Sequence, residues 1–459
     1  MKKTIFILFS AICLVSLYNN VNAQEYEYDN INPQKVIVRT YHDSCQILYA
    51  EQNNSTNVLI LRTPTVNKIF KLPYGMKIND MEVYSSAVGF CGSFNGKGTA
   101  GLFHALDVFD GTDGLLYFTC TSPYIFHQQY YNDTYIKIKE FLKVDINYTS
   151  TNGYYLALIA SAYLDTNDHY LTNIVASAHF ISSNQWRIEC LYEEGQPIIY
   201  SDIKCLDNII VASGTTKDSG NLAIKTFQKT TEFLQYPLTP GFSQKVCEYF
   251  GPSPSTLTTQ IKDNIAAFAI HTYKGTHIHR LSINPTTGAV TPFRPSVSIK
   301  PDELLGVDPI NWRLYDLRRR ALYPLTDTTP QVVFLLENAA HKNNIYERNI
   351  IRVFTHSSPS TLVAFRDHIY DMQSIDSKLM PSEVFRAGVS TNGYLSLSNN
   401  TIYENPNACA EGWELPAEYL NPIIGQMKYS SHATIKDESV IPFYPQISTI
   451  PVNQICPQE

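Results

Sequence analysis

The chain has 459 residues, with 35 Lys and Arg against 42 Asp and Glu and a formal net charge of −7. Charged residues are 17% of the sequence, against about 25% in an ordinary globular chain, so there is no electrostatic footprint for nucleic acid or for an anionic membrane. Hydrophobic residues reach 44%, with 31 Tyr and 22 Phe, and the polar remainder is largely Asn, Ser and Thr, which suits strands and polar turns better than helices with Glu/Lys faces.

Lys2 and Lys3 precede an apolar run from Thr4 to Tyr18, and Val21 and Ala23 occupy the small-residue positions of a signal peptidase site. That order predicts a secretory signal peptide over residues 1–23. Cleavage after Ala23 leaves 459 − 23 = 436 residues. The run is about 15 residues long, where a spanning helix needs about 20, and no later segment approaches that length. The expectation is an exported chain without a membrane span, secreted, periplasmic or held at the cell surface. Beyond Cys13 there are Cys45, Cys91, Cys120, Cys190, Cys205, Cys247, Cys409 and Cys456. An even number permits disulfides in an exported chain. Cys409 and Cys456, in loop-like surroundings, are the best-placed pair, whereas Cys45, Cys91 and Cys205 stand in apolar runs and read as buried thiols. No close CxxC spacing occurs, so no metal or redox cofactor is implied.

From Lys35 to Leu61 the sequence reads as a three-strand meander, with the turn Glu51–Thr56 before the last strand. The next unit takes in Lys68–Pro73, Asp80–Tyr84, Ala87–Gly92 and Gly101–Phe109, four strands in about 40 residues, the size of a propeller blade. A tyrosine-rich insertion from Ser122 to Ile138 follows, and the pattern resumes at the Asn152-Gly153 turn and the strand Tyr154–Ala160. It recurs at Leu206–Gly214 and at Ile261–Tyr273.

Asn79–Gly92 returns without gaps as Ser201–Gly214, pairing Asp80 with Asp202, Val83 with Cys205, Val88 with Ile210 and Gly92 with Gly214, each 202 − 80 = 122 positions apart. The offset divides as 122 = 67 + 55, with a further unit at Tyr148–Ala160, so it records two steps around a ring of similar units. Candidate inner strands near Ile47, Val88, Tyr155, Ile210, Ala266, Leu314 and Leu362 give seven units. Leu395 follows Ser390–Tyr394, which repeats the STNGY of Ser150–Tyr154, and counting it separately gives eight. The predicted fold is an all-β propeller of seven blades, with six to eight as the range; two β-sandwich domains are the competing architecture. Strands do not alternate with amphipathic helices, which disfavours a parallel α/β fold. The helix-compatible pieces are Pro301–Gly306 and Leu335–Asn349. The segment 400–459 is left to close the ring or lie across it.

The lysine-initiated signal, the Val-Asn-Ala-Gln that ends it and the repeated Asp-apolar-x-Val/Cys unit with its closing Cys/Ser-Gly resemble secreted propeller-like proteins of gut Bacteroidetes, a group without an assigned activity. The resemblance is best from Lys68 to Ile283. It implies a β-propeller outside the cytoplasm and transfers no functional residue.

Tyr124, Phe126, Tyr130, Tyr131 and Tyr135, in a segment that reads as a loop, are the candidate ligand-binding residues, because aromatic rings stack on sugars and anchor protein partners at low entropic cost. Near His271, His277 and His279 stand at i and i+2 and would share a strand face, which could begin a metal site, but the three read as a histidine-bearing hairpin, since no third ligand is identifiable. Asp107–Gly114 lacks EF-hand spacing and reads as an acidic turn. Arg313 and Arg318–Arg320 read as a solvated strand edge. No G-x-S-x-G nucleophile context is present. The expected function is therefore non-catalytic: an exported binding or scaffold protein presenting loops to a protein or glycan ligand at the cell envelope. The alternative is a glycan-active hydrolase or lyase with paired carboxylates in the central channel.

Overall fold

The computed structural model describes residues 24–41, 45–53, 56–110, 116–120, 124–128, 131–149, 153–182, 185–193, 198–205, 209–216 and 222–228, then the strands of the second half and the stretch 431–456. The expected signal peptide lies outside the described residues. Those strands form antiparallel sheets that succeed one another along the chain, and the protein is a β-propeller. Sheet 1 is Pro33–Tyr41, Cys45–Gln52, Val58–Arg62 and Asn67–Lys71; sheet 2 is Met76–Tyr84, Ala87–Phe94, Lys97–Phe103 and Leu116–Cys120. Sheet 3 is Tyr131–Thr149, Gly153–Tyr163, Leu171–Ser182 and Gln185–Glu193; sheet 4 begins with Ile198–Cys205 and Ile209–Thr216, and sheets 5 and 6 with Thr256–Lys262 and Trp312–Leu314. Sheet 7 is Ile369–Ser377, Glu383–Ser390 and Leu395–Thr401, completed by the N-terminal strand Gln24–Tyr28.

The first strand of each sheet touches the first strand of a neighbouring sheet and so lies nearest the axis. The candidate inner strands at Ile47, Val88, Tyr155, Ile210 and Ala266 are second strands and not the innermost ones, whereas Leu314 is on a first strand and Leu362 on the last strand before the strap in the same sheet. In sheets 1 to 3 the second strands are buried on both faces, since each sheet is clasped between two others, and small residues permit the approach. A Cβ on Gly89 would lie 2.7 Å from Leu156 Cδ2 of the next sheet. Four apolar cores fill successive seams, between sheets 1 and 2, 2 and 3, 3 and 4, and 7 and 1.

After sheet 7 the chain reverses. Ala410–Leu415, Glu418–Leu420, Ile423–Met427, Ser431–Ser439, Ile441–Phe443, Ile447–Thr449 and Asn453–Cys456 add an outermost strand to sheets 6, 5, 4, 3, 2, 1 and 7 in that order. The last segment thus runs around the circumference as a strap, and its final strand covers the N-terminal strand.

Several expectations are corrected. Asn67–Lys71 completes sheet 1 and does not open sheet 2. The strand expected over Gly101–Phe109 ends at Phe103, and Ala105–Asp110 is a helix, so Asp107 lies in a helical turn. Leu335–Asn338 belongs to the strand Gln331–Asn338 and not to a helix, because its β-branched and aromatic neighbours pair with Asn349–Thr355. Leu314 and Leu362 occupy one sheet, while Leu395 is on a third strand, so the eight markers fall on seven sheets among the described residues. The second STNGY joins second and third strands where the first joins first and second. It is shared turn chemistry: Gly153 and Gly393 both take positive φ, at 71° and 83°. Cys45, Cys91 and Cys205 are buried thiols outside any disulfide, and the proposed partner Cys409 lies outside the described residues.

Candidate functional site

The repeat fixes the axial wall. Gly92 and Gly214 face β-bulges in the adjoining first strands, between Ile78 and Asp80 and between Tyr200 and Asp202. A Cβ there would come within 1.9 Å of the Lys77 carbonyl oxygen and 2.1 Å of that of Ile199, so only glycine lets the bulge close. Asp80 then accepts from Arg39 at 2.6 Å, from the Met81 N–H at 2.9 Å and from the Val144 N–H of sheet 3 at 3.3 Å. Asp145 accepts from the Cys205 N–H of sheet 4, and Asp376 of sheet 7 from the Thr40 N–H of sheet 1. Arg39, buried completely, also donates to the Met81 carbonyl. One turn nearer the strand ends, Glu82 and Lys204 lie 3.9 Å apart, both buried. These acids hold sheets together.

Where the same strands turn back, the wall gives way to an aromatic cluster drawn from three sheets. Tyr148 ends the axial strand of sheet 3 and is 47% exposed. Its ring meets Tyr154 edge-on with centroids 5.1 Å apart, and Tyr154 meets His104 at 5.7 Å. The Tyr154 hydroxyl lies 3.5 Å from Ser86 Oγ. The Ser86 carbonyl accepts from Tyr41 Oη at 2.8 Å and from His104 Nδ1 at 2.9 Å; a carbonyl cannot donate, so the hydrogen of His104 is on Nδ1. Burial, with Asp107 nearby, pushes the Tyr41 hydroxyl up to about 12, so it remains a donor. Ser86 Oγ pairs with Tyr154. The cluster is an aromatic platform with polar edges.

The sequence-predicted candidates sit elsewhere. Tyr124 and Phe126 are on a strand, Tyr124–Gln128, paired with the start of Tyr131–Thr149, so the expected loop is a β-hairpin that includes Tyr131 and Tyr135. Pairing of the long strand with Gly153–Tyr163 begins only at Lys137, so this hairpin projects past sheet 3 at the end opposite to Tyr148. Tyr130 lies outside the described residues, as do Arg318–Arg320, while Arg313 is on Trp312–Leu314. His277 and His279 are on Gly275–Ile283, facing Ile270 and Phe268 in register across from His271's strand. Among the described residues no group of three or more His, Cys, Asp or Glu is placed to hold a metal ion. Tyr41, Ser86, His104, Tyr148 and Tyr154 were not singled out by sequence; the Asn152-Gly153 turn marked the level of Tyr154, and His104 lay inside a segment read as strand.

No family model and no curated protein matches the chain. Among solved structures, one from a mechanistic analysis of two prolyl endopeptidases is similar over 69% of this chain and 54% of its own, with 12% identity and a TM-score of 0.21. The chain spans about half the length of that structure. Among the described residues no helix is long and apolar enough to cross a membrane.

Proposed function

We propose that this protein is an exported, non-catalytic binding or scaffold protein that offers the turn face of its propeller to a protein or glycan ligand at the cell envelope. The observation that carries this reading is the half-exposed Tyr148 ring at the end of the axial strand of sheet 3, packed edge-on against Tyr154, which in turn packs on His104. A pre-ordered tyrosine gives stacking area and a hydroxyl at little conformational cost. The neighbouring acids support binding over hydrolysis, since Asp80, Asp145 and Asp376 are bonded to backbone donors of adjacent sheets. The secretory signal and the resemblance to exported propeller-like proteins of gut Bacteroidetes support the location.

The test is a panel of soluble glycans and envelope proteins, each scored for saturable binding and for turnover. Binding without turnover is expected, and Tyr148→Ala should weaken it about tenfold or more, as loss of a central aromatic anchor does. Hydrolysis that survives stringent purification would sink the non-catalytic reading. Full binding by Tyr148→Ala, with loss in Tyr124→Ala or Tyr131→Ala, would move the site to the projecting hairpin.

A further inference from the structure

The strap changes character along its length. Ser431–Ser439 pairs with sheet 3 over nine consecutive residues, whereas Ile447–Thr449 and Asn453–Cys456 make ladders of three Cα partners each, the last interrupted by a bulge. Pro445 and Pro451 precede these two short strands, where a missing N–H and a fixed φ limit pairing. Side chains supply the rest. Ile447 packs against the core between sheets 1 and 2, and Ile450 and Val452 against the core between sheets 7 and 1. The Ile450 N–H donates to the Asn67 carbonyl at 3.0 Å, and Asn453 Nδ2 to Asp29 Oδ2 at 2.7 Å. Residues 440–458 contain no charged side chain, so this stretch lacks the charges that natural edge strands use against added strands. Extended backbone pairing with apolar anchors in successive pockets is how sheet edges bind peptides. Ladders this short are retained chiefly because the segment is tethered at high effective concentration.

We propose that the outer edges of sheets 1 and 7 form a peptide-binding rim, which residues 445–456 occupy in the chain's own ring and which takes the same segment from a second copy. The occupant is set by the anchors: an extended, uncharged strand with apolar residues at the spacing of Ile447, Ile450 and Val452. This rim is independent of the Tyr148 face and does not rest on the function proposed for it.

The experiment keeps the full chain and inserts a specific protease site after Tyr444, which is 71% exposed in the link between two strap strands. The folded protein is cut, and a fluorescent peptide of residues 445–456 is added in excess to represent a second copy's segment. The expected result is one labelled peptide per chain, displacing the resident fragment, with uptake reduced about tenfold or more when the peptide carries Ile447→Ser and Ile450→Ser. A retained fragment that never exchanges, a lost fragment with no uptake, or equal uptake of the altered peptide overturns the proposal. Hydrogen exchange on the uncut chain gives a second readout. Amides of 447–456 should exchange together and ahead of Val58–Arg62 in the same sheet, and exchange of both only as a unit would also overturn it.

Discussion

Asp80 and Glu189 are both buried acids, at 1% and 3% exposure, yet the axis and the rim treat them in opposite ways. Asp80, on the axial strand of sheet 2, accepts from a guanidinium and two backbone N–H groups. Glu189, on the fourth strand of sheet 3 beside Ile435 of the strap, has no hydrogen-bond partner for either carboxylate oxygen among the described residues. Buried charge is stabilising in a fold only where donors satisfy it, so the axis is built on acids held by donors and the rim on ladders and apolar anchors. The sharpest way to break this contrast is Arg39→Ala. Arg39 bridges sheets 1 and 2 through Asp80 and Met81, and its loss leaves a buried carboxylate with one cation fewer. We expect a stability loss of about 3–5 kcal/mol, read from denaturant midpoints at constant slope. Asp80→Ala should lose a similar amount, and the double variant less than the sum, because the two share one interaction. Additive losses would show that the pair is not the joint between these sheets.

The glycines beneath the axial acids sharpen the same contrast. Ala at Gly92 or Gly214 drives a methyl into a backbone carbonyl, which cannot turn aside as a side chain can. Loss of about 1–3 kcal/mol is expected at each. Gly89→Ala, whose nearest neighbour is the flexible end of Leu156 at 2.7 Å, with Ile146 Cβ next at 3.1 Å and no backbone carbonyl in the way, should lose less. Equal losses at all three would mean that the bulges that aim Asp80 and Asp202 are not what glycine protects.

These positions also show what was legible in the sequence. Asp80, Gly92 and their copies 122 residues on repeat because both first strands carry the same device, a bulge that closes over a glycine just before a buried acid. The second strands announced themselves through small and β-branched residues, since burial on both faces leaves no polar alternation. The strap left no such signal. Its strands differ in length from three to nine residues, do not repeat, and pair with partners as far away as Gln24–Tyr28. The site was hidden for a similar reason. Tyr41, Ser86, His104 and Tyr154 come from three successive sheets and meet only when those sheets pack, whereas the tyrosines of the projecting hairpin are adjacent in sequence and so drew notice first.

The finest test of axis against rim is the pH profile of Glu189→Gln. Burial raises the Glu189 carboxyl from 4.5 to about 8, so between those values the folded protein holds a proton that the unfolded chain releases. Its contribution is complete below pH 4.5 and declines as pH rises through 8, by about 1.4 kcal/mol per unit at most. His179, buried on the neighbouring strand, runs the other way: burial, then Arg187, lowers it from 6.5 to about 4, so stability rises with pH across that interval. The two slopes oppose one another up to pH 6.5, and the decline due to Glu189 stands alone just above it. Glu189→Gln removes the decline and exposes the rise due to His179. The variant's stability should climb from pH 4 to 6.5 where the parent is nearly flat, and then hold where the parent falls. Parallel profiles for the two proteins would mean that the rim carboxyl is satisfied after all, and that axis and rim handle acids alike.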